Sequence, residues 1–196
     1  LEHSWQGERK TVDFFVLKGI VEGLLAKLGL DKQISFEQTQ MDGLHPGRTA
    51  SVKVNNESIG ILGQLHPSEQ KKRDLKETYV MELNLAKLLS ISLDPLLYTP
   101  VPRFPSISRD IALVVNRDQA AGELQQIIRN AGGKLLKDVN VFDLYEGEKM
   151  EPGQKSVAFS LLYEDPERTL TDEEVVKAHS KVLKALEEQA NAQLRG

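Results

Sequence analysis

The chain has 196 residues, of which 40% are apolar and 28% charged, with a formal net charge of −4. That mixture fits one or two globular domains and excludes a disordered chain and a collagen-like repeat. It also excludes a membrane span, because the longest stretch free of Asp, Glu, Lys and Arg, Ser58 to Ser68, falls far short of the ~20 apolar residues a spanning helix requires. No cysteine is present, which removes disulfide scaffolds, thiolate nucleophiles, zinc knuckles and iron–sulfur clusters and is compatible with the cytosol. The chain opens at Leu1 with neither Met nor a basic-then-apolar leader and reads as a piece of a longer protein. Residues 1–103 hold 13 Lys/Arg and 13 Asp/Glu, and residues 104–196 hold 12 and 16, so all of the net charge lies in the second half. Nucleic-acid binding by that half would rest on local contacts instead of a global positive field.

The first predicted element is a helix. Asp13 caps it, Phe14, Leu17, Ile20, Val21, Leu24, Leu25 and Leu28 follow a 3.6-residue period, and Gly29 ends it. Strands are predicted over Ser35–Met41, Ala50–Val54 and Ser58–Leu65, the last two joined by an Asn55-Asn56 hairpin turn. His45–Arg48 (HPGR) and Leu65–Pro67 (LHP) read as turn-forming loops. A short helix from Pro67 to Asp74 follows, then a strand over Thr78–Leu85 with Tyr79, Met81, Leu83 and Leu85 on one face, then a brief helix over Ala86–Leu89. Leu93–Ser106 carries four of the eight prolines, a density that forbids helix and central strand. It predicts a module over residues 1–93, a linker over 94–105 and a second domain over 106–196.

The second half reads as β-α-β-β-α-β. The strands are Ser108–Val115, Leu135–Tyr145, Lys155–Tyr163 and Ala192–Arg195. One helix is capped by Asp118, buries Leu124, Ile127, Ile128 and Ala131, and stops at Gly132-Gly133. The other opens at Thr171 with Glu174 three residues on, a capping box, and buries Val175, His179, Val182 and Leu186. This is the ferredoxin-like split βαβ arrangement.

Alternation along those strands sorts their side chains and sets Phe142 and Leu144 opposite Val141, Asp143 and Tyr145. Ile111, Leu113, Val115, Phe142, Leu144, Val157, Phe159, Leu161 and Tyr163 are expected against the helices. The opposite face then collects Asp110, Ala112, Asp143, Tyr145, Ser156, Ala158 and Ser160. That face is small and polar and carries one aromatic. It suits a single-strand RNA platform, in which an aromatic stacks an unpaired base and a carboxylate accepts the two N–H groups of a guanine edge. It equally suits a solvated sheet face or one covered by another domain.

Other constellations carry less. The four histidines have no metal-ligand spacing, and there is no Gly-rich phosphate loop and no nucleophile elbow. Lys71–Arg73 (KKR) reads as a solvated helix end, with RNA backbone contact as the other reading. Asp172–Glu174 sits in a first helical turn, where the helix dipole favours negative charge.

The motifs FPSISRDIALVV (Phe104–Val115), FDLYEG (Phe142–Gly147), KSVAFSLLYEDPERTLTDEEV (Lys155–Val175) and the closing Leu194-Arg195 resemble the anticodon-binding domain of bacterial phenylalanine–tRNA ligase β subunits. VDFFVLKGIVEGLL (Val12–Leu25), HPGRTA (His45–Ala50) and IGILGQLHP (Ile59–Pro67) resemble the later part of that subunit's catalytic-like module. The resemblance implies an α+β chain: a partial class II synthetase-like α/β module followed by a ferredoxin-like βαββαβ domain. It implies a cytoplasmic (αβ)₂ enzyme that charges tRNA with phenylalanine, with ATP and magnesium used by the whole enzyme and the chemistry in the α subunit. No catalytic, metal or cofactor residue is expected in this chain. It further implies that the first anticodon base, a guanine, lies near Asp143 and Tyr145, with Ser156, Ala112 and Arg195 beside it. Arg103, Arg109 and Arg168 are secondary candidates for phosphate. The rival reading is a purely structural module whose open sheet face docks protein.

Overall fold

The structure is a computed structural model that describes residues 11–30, 33–91, 101–147 and 150–195. The chain divides into two units, Leu1–Tyr98 and Thr99–Gly196. Of the expected proline-rich linker, residues 94–100 lie outside the described residues.

In the first unit, helix α1 (Phe14–Lys27) starts where the Asp13 carboxylate accepts the Val16 N–H at 2.8 Å. It ends in a Schellman motif, with the Leu30 and Gly29 N–H groups donating to the Leu25 and Ala26 carbonyls while Gly29 turns at φ +76°. Val21 and Leu25 pack against an antiparallel sheet of β1 (Ile34–Gln38), β2 (Leu44–Val54), β3 (Glu57–Leu65) and β4 (Tyr79–Leu83), paired in that order. Asn55 and Asn56 both take positive φ, as a type I′ hairpin demands.

Two expectations are corrected here. The HPGR segment is no free loop but lies inside β2, at a register irregularity between Leu44 and Thr49. Local bonds serve it there: the Thr49 hydroxyl donates to the His45 carbonyl and the Gly47 N–H to His45 Nδ1. Leu85 is no strand residue but opens α3 (Leu85–Ser90), because the Asn84 side chain accepts the Lys87 N–H and caps a helix. In α2 (Pro67–Lys72), the Glu69 carboxyl is bonded by Lys72 and Arg73 and is pulled down to about 2. Two of the three cations of KKR are therefore spent on their own helix.

The second unit contains β5 (Ile107–Asn116), α4 (Ala121–Gly132), β6 (Leu136–Tyr145), β7 (Gln154–Tyr163), α5 (Asp172–Ala190) and β8 (Gln193–Leu194). The sheet order is β6-β7-β5-β8 with every pair antiparallel, which is the ferredoxin-like arrangement. Both helices contribute to the core on one side, where Leu113, Val157, Phe159, Leu161, Leu124 and Val182 are fully buried.

The Thr171 capping box forms as expected, and Arg168 grips Glu174 with two nitrogens at 2.8 and 2.6 Å. That grip, with bonds from Thr171, lowers the Glu174 carboxyl from 4.5 to about 2. Its contribution to folding is therefore complete above the ordinary carboxylate range and fades as pH falls toward 2. Asp118 does not cap α4: the helix begins after Ala120 with no side-chain cap. Gly132 lets the chain leave the helix tightly, since a Cβ there would lie 2.3 Å from Leu136 Cδ2. His179 is half-buried, with Nδ1 3.2 Å from the Tyr163 hydroxyl. Burial pushes the Tyr163 phenol up to about 12 and depresses the His179 imidazole, a packed pair and not a ligand set.

Candidate nucleic-acid interface

The open face is set by one irregularity in β6. Val139 and Val141 pair with Leu161 and Phe159 of the core row, so simple alternation would send Asp143 and Tyr145 toward the helices as well. The register shifts between Val141 and Asp143, leaving Phe142 without a partner. This β-bulge puts Asp143 opposite Ala158 and Tyr145 opposite Ser156, both on the open face. The expected sides of Asp143 and Tyr145 are therefore right, but those of Val141 and Phe142 are not. Val141 lies in the core row, while Phe142, expected inside, is 59% exposed, and Leu144 is 55% exposed at the sheet edge.

Cross-strand partners share a face, so the register writes out the surface in rows. One row is Tyr145, Ser156, Val114 and Gln193. The next is Asp143, Ala158 and Ala112, continued by Arg195, whose N–H donates to the Ala112 carbonyl at 2.8 Å. A third is Asn140, Ser160 and Asp110. All five sequence-predicted site residues thus fall in two adjacent rows of one face. Its middle is made of small side chains: Ser156, Ala158 and Ala112.

Those small residues let the long side chains of the two outer strands meet. Tyr145 on β6 and Arg195 beside β8 are rooted about three strand spacings, roughly 14 Å, apart. Yet the Arg195 guanidinium carbon lies 5.1 Å from the centre of the Tyr145 ring. This is a cation–π contact across the top of the sheet. Below, Ser156 and Ala158 are only 3% and 7% exposed although no helix covers this side. Gly147 seats the phenol end of the ring: a Cβ there would come within 2.6 Å of the Tyr145 hydroxyl oxygen. Sequence reading assigned no role to Gly147. The available signal was a glycine two residues past the platform aromatic.

The secondary arginines are placed differently. Arg168 is committed to Glu174 and Asp165, and Arg109 reaches Asp172 at 3.5 Å. Both belong to the opening of α5, which ties them to the helix cap and not to the open face. On the face itself Asp138 is held by Asn140 at 2.8 Å and by Arg129 at 3.6 Å. Carboxylates at Asp110 and Asp143 sit among Ser, Ala and Asn, an arrangement that offers hydrogen-bond acceptors and disfavours an anion. Among the described residues, no three His, Asp or Glu side chains converge into a group that could hold a metal ion. Among them, too, no helix is long and apolar enough to cross a membrane.

An antiparallel sheet of this strand order with helices on one side is a ferredoxin-like fold; residues 102–195 match the family described as the ferredoxin-fold anticodon binding domain. Residues 1–85 match the family described as the phenylalanyl tRNA synthetase beta chain CLM domain. The chain is 60% identical over 192 residues to the phenylalanine–tRNA ligase β subunit of Bacillus subtilis, a match covering 98% of this chain and 24% of that protein. It is 58% identical over 195 residues to that of Bacillus licheniformis and 57% to that of Halalkalibacterium halodurans, each covering 100% of this chain and 24% of the relative. Over essentially its whole length the chain is homologous to phenylalanine–tRNA ligase β subunits, and it spans about a quarter of the length of these relatives.

Proposed function

We propose that this chain contributes the anticodon contact of a phenylalanine–tRNA ligase. Residues 106–196 hold the anticodon loop on the open face of β5–β8, residues 1–93 serve an architectural role, and residues 94–105 link them. In this reading Tyr145 stacks the first anticodon base, a guanine. Asp143 accepts its N1–H and N2–H, and Ser156 and Arg195 complete its surroundings, with Ala112 keeping the floor low enough for a base to lie flat. ATP-dependent charging of tRNA, with its magnesium, is assigned to a partner α subunit in an (αβ)₂ enzyme of the cytoplasm.

The observation that carries the reading is the β6 bulge, which delivers a carboxylate and an aromatic to one face, above small side chains, two residues apart. A bidentate pair with a base edge is worth about 1–3 kcal/mol of discrimination, or roughly 5- to 150-fold. Asp143→Asn replaces one acceptor by a donor and cannot take both guanine protons. It is expected to lose that factor for an anticodon stem-loop beginning with guanine and to leave binding of the adenine version unchanged. Fluorescence anisotropy with both RNAs reads the difference. An intact guanine preference in Asp143→Asn would remove Asp143 from the site, and RNA binding unaffected by any open-face change would favour a face that docks protein.

A further inference from the structure

The Arg195 guanidinium occupies the place on Tyr145 where the proposed function needs a base. It lies over the ring at 5.1 Å, its root is fixed by the 2.8 Å bond from its N–H to the Ala112 carbonyl, and it shares a row with Asp143. Ser156, the hydroxyl at the centre of the face, is 3% exposed on a side that no helix covers. Any base reaching both Tyr145 and Ser156 must displace what lies above them. We propose that Arg195 is a shutter: in the free chain it caps the Tyr145 platform as a stand-in for the base, and base entry exchanges one π-face partner for another. The displaced guanidinium, now solvated beside an incoming polyanion, becomes available to the phosphate of the same nucleotide. This inference rests on the anticodon reading above, and it adds a closed state that the binding site must leave.

The exchange has a sign that an ordinary contact lacks. An exposed cation–π contact is worth about 0.5–1 kcal/mol, which is a two- to five-fold effect on a competing equilibrium. Guanosine, which has no phosphate, competes with the shutter and gains nothing from the released arginine. Arg195→Gln is therefore expected to bind guanosine two- to five-fold more tightly than the unmodified chain while binding the guanine-bearing stem-loop more weakly. Arg195 is exposed and lies outside the core, so the variant folds, and Arg195→Lys, which keeps the charge with a weaker planar stack, is expected between the two.

NMR titration of the 196-residue chain gives both affinities. It also gives a ligand-free readout, because the Arg195 side-chain protons should be shifted upfield by the Tyr145 ring and return to ordinary values in Tyr145→Leu. Guanosine binding that is equal, weaker or absent in Arg195→Gln, with stem-loop binding retained by the unmodified chain, overturns the shutter and leaves the anticodon reading standing. So does an unshifted Arg195 in the free chain. Absence of stem-loop binding in every protein overturns the anticodon reading and the shutter with it.

Discussion

Tyr145→Ala is expected to weaken binding of the guanine-bearing anticodon stem-loop by roughly 5- to 150-fold, the equivalent of the 1–3 kcal/mol carried by one base–aromatic stack. The loss should fall on every first base, because each has a π-face, so affinity drops while relative preference survives. That pattern is the opposite of the one expected for Asp143→Asn, where preference collapses. Stability should change little, by about 0.5 kcal/mol, because the ring lies at the edge strand and outside the buried cluster. Far-UV circular dichroism beside the binding assay separates the two effects. A large loss of folding would mean that Tyr145 acts as a structural residue, and unchanged binding would mean that no base stacks there.

Phe159→Ala carries the largest expected effect on stability. Phe159 sits in β7, an inner strand of the sheet, is 0% exposed, and pairs with Ile111 on one side and Val141 on the other. Truncating a buried phenylalanine costs about 3–5 kcal/mol in lost transfer energy and cavity. Against a typical domain stability of roughly 5–15 kcal/mol, that takes most of the margin. For a domain of this size it lowers the unfolding midpoint of residues 106–196 by at least about 12 °C. RNA binding should then fall in parallel with circular dichroism as temperature rises, in contrast to Tyr145→Ala. A midpoint within a few degrees of the unmodified chain would contradict the packing described for this strand.

These two residues mark what the sequence could and could not say. Local chemistry was legible: Asp13 and Thr171 as caps, Asn55-Asn56 as a turn and Gly29 as a stop all act through bonds within a few residues. The βαββαβ order followed from period changes and turns. The β6 bulge was not legible, because no glycine or proline marks it and it arises from pairing with β7 while Val139 stays anchored in the core. Alternation read across it placed Asp143 and Tyr145 correctly but put Phe142 inside and Val141 outside. The false Asp118 cap has a similar origin: a residue type suited to capping lay near a helix that starts three residues later. The meeting of Tyr145 and Arg195 was beyond sequence reasoning. It depends on small side chains on two intervening strands, and nothing local to either residue encodes it.

The acidic charge of the second half also finds a physical place. Three aspartates, Asp110, Asp138 and Asp143, lie on or beside the open strands, and among the described residues only Asp138 has a cationic partner. Such a surface gains little from counterion release and much from base-edge hydrogen bonds. Binding through it should be selective and modest in strength, with a shallow dependence on salt.

Base readout on the β5–β8 face is tested most directly by the affinity of the unmodified chain for two anticodon stem-loops that differ only in the first anticodon base, at low and at moderate salt. The predicted result is a preference for guanine that persists as salt rises, with a small salt slope. Equal affinity for the two loops, lost together as salt rises, would contradict it.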